Sequence, residues 1–255
     1  MNSFKFLKKE FKEILKTYKI WVVPLIFIFF GLMSPIVVKL LPKILEGQMK
    51  AQNIAFKMPT PTAIESFSQY FKNLSQMGAL AVILLSMGIV SEEKAKGTLQ
   101  LVLTKPVSRT SVIISKLIAQ SMLVCLSVLL GAICCYFYTL VLFKEGNAGL
   151  FSQSTVLYII YYLLLIAITL FFSTLFSNQV AAGGVSLIFF FGLTILPSIS
   201  QFMAKYSPYA LTVIADNILK KEDVFSKSGW PLLISVILII ILLVLSCQIF
   251  SRQEL

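Results

Sequence analysis

The sequence contains no histidine, and only 13% of its 255 residues are charged. Soluble domains carry about 25% charged and about 45–50% apolar residues, whereas 58% of this chain is apolar. With a mean hydropathy of +0.89, an ordinary water-soluble domain is excluded, and lipid has to form part of the solvent. The lack of histidine removes the commonest general base and metal ligand. The four cysteines, Cys125, Cys134, Cys135 and Cys247, all lie in apolar runs, and none forms a C-x-x-C pair. That spacing excludes a disulfide framework or a structural metal site, so they read as small buried hydrophobes. A G-x-x-x-x-G-K-[ST] phosphate loop, an H-E-x-x-H pair and a G-x-S-x-G elbow are all missing, so no catalytic residue and no metal ligand is expected. Ser86, Ser121, Ser127, Ser173 and Ser186 stand within apolar runs, where a hydroxyl bonds to its own helix or a neighbour.

What the chain does carry is basic charge, with a formal net of +11. The lysines are scattered between long apolar runs and never gather into a soluble face. Their natural partner is therefore the lipid bilayer surface, with no nucleic acid implied.

A spanning helix needs about 20 mostly apolar residues, and charges near its centre are costly. Uncharged gaps of 19 residues separate Lys19 from Lys39 and cover Asn73–Ser91, and another of 27 covers Leu117–Phe143. Gly146–Ala204 is free of charge for 59 residues and Ser228–Ser251 for 24. The longest gap is divided by Ser177-Asn178-Gln179 and Gly183-Gly184, a turn between two spans. Six spans follow, at roughly 21–41, 75–91, 117–143, 154–176, 181–201 and 231–250. Helices are expected because backbone in lipid must satisfy its own hydrogen bonds. The fold class is thus an all-α polytopic membrane protein, with residues 1–255 forming a single transmembrane domain. The first apolar stretch is longer than a cleavable signal's and reads as an uncleaved anchor. With N- and C-termini together inside, the inner segments hold 12 Lys/Arg and the outer ones 10. That bias is concentrated in the short N-terminal tail, where the positive-inside rule weighs most.

In residues 1–20, Phe4, Leu7, Phe11, Leu15 and Tyr18 recur at helical spacing, with Lys5, Lys8, Lys12, Lys16 and Lys19 on other faces. This predicts an amphipathic helix lying in the headgroup region. In the 92–116 connector, Glu92 and Glu93 suit a first helical turn, Gly97 offers a break, Pro106 halts regular structure and Ser108 suits a helix cap. A compact folded connector is expected there. Between Tyr209 and Ile214 a short apolar helix is expected, either dipping into the outer leaflet or lying on the surface.

The connector resembles the loop after the second span of type-2 ABC exporter permeases. Its matching residues are Glu92-Glu93, Gly97-Thr98-Leu99, Leu101-Val102-Leu103, Pro106-Val107-Ser108-Arg109 and Lys116. The basic amphipathic start, the six spans, the Leu175-Phe176-Ser177-Asn178-Gln179 turn and Ser207-Pro208 are similar to the family in layout. The resemblance implies a permease subunit in the bacterial cytoplasmic membrane with both termini cytoplasmic. It pairs with a second permease subunit, as a homo- or heterodimer, and with a separately encoded ABC ATPase. The chain binds no cofactor itself, and ATP and Mg belong to the ATPase. Glu92, Glu93, Gly97, Thr98, Pro106 and Arg109 are implied as the contacts that couple it to that partner. The residues alone leave two other readings open: a non-transporting scaffold or immunity protein, and an ion-coupled secondary transporter. The apolar gaps hold no Asp, Glu, Lys or Arg to carry a proton, which disfavours a proton-driven form of the latter and leaves sodium coordination by backbone oxygens open.

Overall fold

The computed structural model describes residues 3–51, 60–99, 108–220 and 229–253. Pro106, Leu101, Val102, Leu103 and Val107 of the connector, and the side chains of Phe4 and Lys5, lie outside the described residues. Every regular element among those described is helical. In chain order they are α1 (Ser3–Lys16), α2 (Lys19–Ala51), α3 (Ala63–Asn73), a π-helical turn (Leu74–Gly78), α4 (Ala79–Ser86) and α5 (Ser91–Ala95). There follow α6 (Arg109–Phe143), α7 (Ala148–Leu175), α8 (Gln179–Ile199), α9 (Gln201–Tyr206), α10 (Ala210–Leu219) and α11 (Gly229–Arg252). Six stretches among the described residues are long and apolar enough to cross a membrane: Lys19–Gly47, Ala63–Ala95, Arg109–Phe143, Ala148–Leu175, Gln179–Ile199 and Gly229–Arg252. The protein is an all-α, multi-pass membrane protein.

Three stretches extend beyond the uncharged gaps, for local reasons. The second begins at Ala63 because Thr62 opens it with a capping box. Thr62 Oγ1 accepts from the Glu65 amide at 3.4 Å, and Glu65 Oε2 accepts from the Thr62 amide at 3.2 Å. The third begins at Arg109, where Ser108 Oγ accepts from the Ser111 amide at 3.3 Å. Arg109 to Lys116 are thus helical, although the charge pattern places the third span at 117–143. Helix α2 runs on past Pro24, Pro35 and Pro42 to Ala51, since each proline removes only one amide, a loss that membrane helices tolerate.

Helix α7 is the most buried of the six and sits centrally, touching α4, α6, α8, α10 and α11. The main core around it is aromatic. Phe71 stacks on Tyr158 with ring centroids 4.7 Å apart, and Phe27 meets Tyr162 edge-on at 5.4 Å. Helices α2 and α6 touch almost backbone to backbone, because a Cβ on Gly131 would sit 2.6 Å from the Phe27 carbonyl oxygen. Helix α10 buries Leu211, Ala215 and Ile218 against α7, where Ser154 Oγ donates to the Ala215 carbonyl at 2.8 Å. It packs on protein. The outward faces of the spans are apolar, with Leu25, Phe29 and Val37 on α2 and Val236, Ile240 and Val244 on α11 all exposed. These are lipid-facing positions.

A smaller apolar cluster joins Phe6, Val90, Leu99, Val112, Ile113, Leu170 and Phe250. It draws α1, α5, the start of α6 and the ends of α7 and α11 together at one end of the bundle. That end, called the near end below, carries the polar structure described next.

Candidate functional site

Helix α5 is only five residues long, with Glu92 and Glu93 in its first turn. It stops because Gly97 takes a positive φ of 67°, the left-handed cap conformation that glycine adopts without a steric penalty. The Gly97 amide then donates to the Lys94 carbonyl at 3.1 Å. Thr98 is exposed and its hydroxyl donates to the Glu93 carbonyl at 3.3 Å. Glu92 pairs with Lys96 at 2.6 Å on the outer side of the turn. Four of the six residues singled out from the sequence therefore share one compact turn at the near end.

Beneath that turn lies a buried ion cluster. Lys116 of α6 is only 5% exposed, and its Nζ stands 2.7 Å from Glu93 Oε1 and 3.2 Å from Glu10 Oε2. Lys9 of α1 reaches Glu13 at 3.0 Å, Glu10 at 3.4 Å and Glu93 at 3.9 Å. Three elements that are distant in sequence are thereby tied through charge. Burial pushes the Glu10 carboxyl above its usual range; Glu93 and Glu13 add to this while Lys116 and Lys9 oppose it. Burial works against the Lys9 ammonium, yet Glu10, Glu13 and Glu93 together hold it above its usual range. Glu10, Glu13 and Glu93 do bring carboxylate oxygens within 4.8 Å of one another. The Lys116 ammonium already fills the role a metal would take between Glu10 and Glu93. Alongside is a cavity of about 540 Å³, lined by residues of both signs from Lys9 and Glu13 to Glu92 and Lys96, with Gln120 among its lining residues.

Arg109 goes elsewhere. Its Nη1 donates to the carbonyls of Phe250 at 3.2 Å, Ser251 at 3.3 Å and Gln253, so it satisfies the end of α11. Gln253 in turn donates from Nε2 to the Thr174 carbonyl at 3.0 Å, an oxygen that Lys94 Nζ also approaches. Pro106 lies outside the described residues.

The amphipathic pattern of residues 1–20 misses the face that docks. Phe6 and Glu10 are buried, Ile14 packs against the main core, and Leu15 and Tyr18 are exposed. The signal was present as Phe6-Glu10-Ile14, an i, i+4, i+8 stripe interrupted by one carboxylate.

Six apolar membrane-crossing stretches among the described residues, with an amphipathic helix and a charged turn gathered at one end, define a polytopic membrane component. Residues 5–255 match the family described as ABC-2 family transporter protein, and the chain belongs to that family. It is also 28% identical over 257 residues to the uncharacterized transmembrane protein YxlG of Bacillus subtilis (strain 168), covering 97% of this chain and 96% of that protein. The chain is accordingly a membrane permease component of an ABC transporter, and its family works with an ATPase subunit.

Proposed function

We propose that the protein is the permease subunit of an ATP-driven exporter in the bacterial cytoplasmic membrane, with the near end and both termini facing the cytoplasm. The observation that carries this reading is the α5 turn. It presents Glu92, Lys96 and Thr98 outward, while Glu93 beneath it is fastened to α1 and α6 through Lys9 and Lys116. A partner ATPase that seats on the turn pushes on a rigid handle rather than on a loose loop. Glu92, Glu93, Gly97, Thr98, Pro106 and Arg109 are the proposed coupling residues. Glu92 and Thr98 offer direct contact, Gly97 shapes the turn, Glu93 anchors it to the bundle, and Arg109 fixes the end of α11 beside it. ATP and Mg are bound by the partner, and export is the direction supported by the resemblance to exporter permeases.

A second permease subunit completes the path. The exposed face of α8 supports this, because Gly184 and Gly192 leave open space beside exposed Val180, Ile188 and Ile195. Small residues on a lipid-facing helix let another helix approach closely.

The test is co-expression with the partner ABC ATPase, followed by purification and ATP hydrolysis assays. Glu92→Ala and Thr98→Ala are expected to weaken co-purification or the permease-dependent part of the ATPase rate by about tenfold, the effect of roughly 1.4 kcal/mol. Unchanged assembly and unchanged hydrolysis in both variants rule out this coupling site. Protection of cells with a dead ATPase would instead favour a sequestering scaffold.

A further inference from the structure

The second membrane-crossing stretch is not one helix. It passes from α3 through the π turn to α4, then through a non-helical turn at 87–90 into α5. Helix irregularities need a partner for the backbone groups they release. Both irregularities here are served from one neighbour, α7.

At the first joint, the Tyr162 hydroxyl donates to the Leu74 carbonyl at 2.9 Å. Gly78 makes room for that hydroxyl, since a Cβ there would collide with it. At the second joint, α5 has no cap of its own. Ser173 Oγ supplies one in trans, accepting from the Val90 and Ser91 amides, both at 3.0 Å. Its proton goes to the Met87 carbonyl at 2.9 Å. Tyr162 is 1% and Ser173 0% exposed. Eleven residues separate them, about three turns and about 16 Å along α7, so they share one face. The threonines of this helix, Thr155, Thr169 and Thr174, bond back to their own turns, and Ser154 bonds to α10 rather than to the second span.

We infer that the second span is a jointed rod and that Tyr162 and Ser173 are positioning residues clamping its two joints to α7. The inference rests on the proposed coupling of α5 to an ATPase. A push on α5 moves α4 as a two-turn piece between the joints, and the two clamps oblige α7 to follow. Displacement thus passes from the near end to the opposite end, where α3 and α7 begin. Helix α7 is the output element, and it needs no contact with the ATPase.

The test uses hydrogen exchange with mass spectrometry on the assembled permease–ATPase complex, nucleotide-free and trapped with ATP and vanadate. Peptides within 91–99 report the near end; peptides within 63–73 and 148–156 report the far end. Ser173→Ala and Tyr162→Phe each delete one oxygen with little change of volume. In the parent protein, trapping is expected to change exchange at both ends. In either variant the near-end change persists and the far-end change falls by more than half, while Thr169→Val leaves both intact. A far-end change of parental size in both clamp variants overturns the inference. No nucleotide-dependent change at 91–99 in the parent protein overturns the coupling reading itself, and the inference with it.

Discussion

Lys116 and Glu93 meet at 2.7 Å although one belongs to α6 and the other to α5. Glu10 of α1 closes on the same ammonium at 3.2 Å, so a single buried cation joins three elements. Burying charges costs several kcal/mol per ion, and their attraction mainly offsets that cost. Removing one partner is another matter. Lys116→Met leaves two largely buried carboxylates with only the partly exposed Lys9 ammonium beside them, and a loss approaching about 3 kcal/mol is expected. Thermal unfolding of the purified permease in detergent checks this. Adding Glu10→Gln and Glu93→Gln to Lys116→Met should recover much of the loss, because the buried positions are then neutral and Lys9 keeps its pair with Glu13 at the surface. A triple variant no more stable than the single one contradicts the electrostatic account.

Glu10 gives the cluster a pH dependence of known sign. Its carboxyl is held above the usual range chiefly by burial, so the folded protein keeps this proton to higher pH than the unfolded chain does. The stability linked to that proton is fully present below the unfolded value of about 4.3 and is lost as pH rises through the folded value. Glu10→Gln removes the dependence. Relative to the parent protein, the variant should therefore gain stability as pH rises from about 4 to about 7. Melting temperatures measured across that range check it, and a difference that is flat or reversed in sign rules it out.

The spans were legible because charge marks where lipid cannot be. Lys19 and Lys39 bound one long uncharged run and Glu145 and Lys205 another; the first falls within one membrane-crossing stretch and the second holds two. The stop at Gly97 and the cap at Ser108 were legible too, because both act through local backbone chemistry. What the pattern does not encode is which charges meet. Lys116 reads as a basic flank until α1 and α5 are folded against it, and Glu10 reads as one acid among lysines. The joints of the second span were equally hidden, since Ala79–Leu85 is uniformly apolar and the groups that hold its ends come from α7, over 80 residues away in sequence.

Gly31 and Gly131 set the distance between α2 and α6. A Cβ on Gly31 would collide with the Gly131 carbonyl oxygen, and one on Gly131 would sit 2.6 Å from that of Phe27. Backbone cannot move aside as a side chain can, so Gly131→Ala should force the helices apart. Overpacking of this kind costs about 1–3 kcal/mol. The Gly31→Ala, Gly131→Ala pair should cost less than the sum of its members, because the first replacement already opens the shared contact. Strict additivity in unfolding measurements would show that the two glycines do not share one contact.

Arg109 offers the clearest separation between an anchoring role and a direct contact with the ATPase. Its guanidinium gathers the carbonyls of Phe250, Ser251 and Gln253, groups that the last turn of a helix leaves unsatisfied. Hydrogen bonds to a charged donor contribute about 1.5–3 kcal/mol when buried. Arg109 is only half-buried, so about 1 kcal/mol is the reasonable expectation for Arg109→Ala once solvent screening is allowed for. The effect should be local. Amides in the last turn of α11 should exchange several-fold faster in the isolated permease, with no ATPase present, while those of α6 beyond its first turn stay protected. Arg109→Lys should restore only part of the protection, because an ammonium lacks the planar fork that reaches several carbonyls together. If exchange at residues 248–253 is unchanged in Arg109→Ala but ATPase coupling is lost, Arg109 acts on the partner directly and the anchoring account fails.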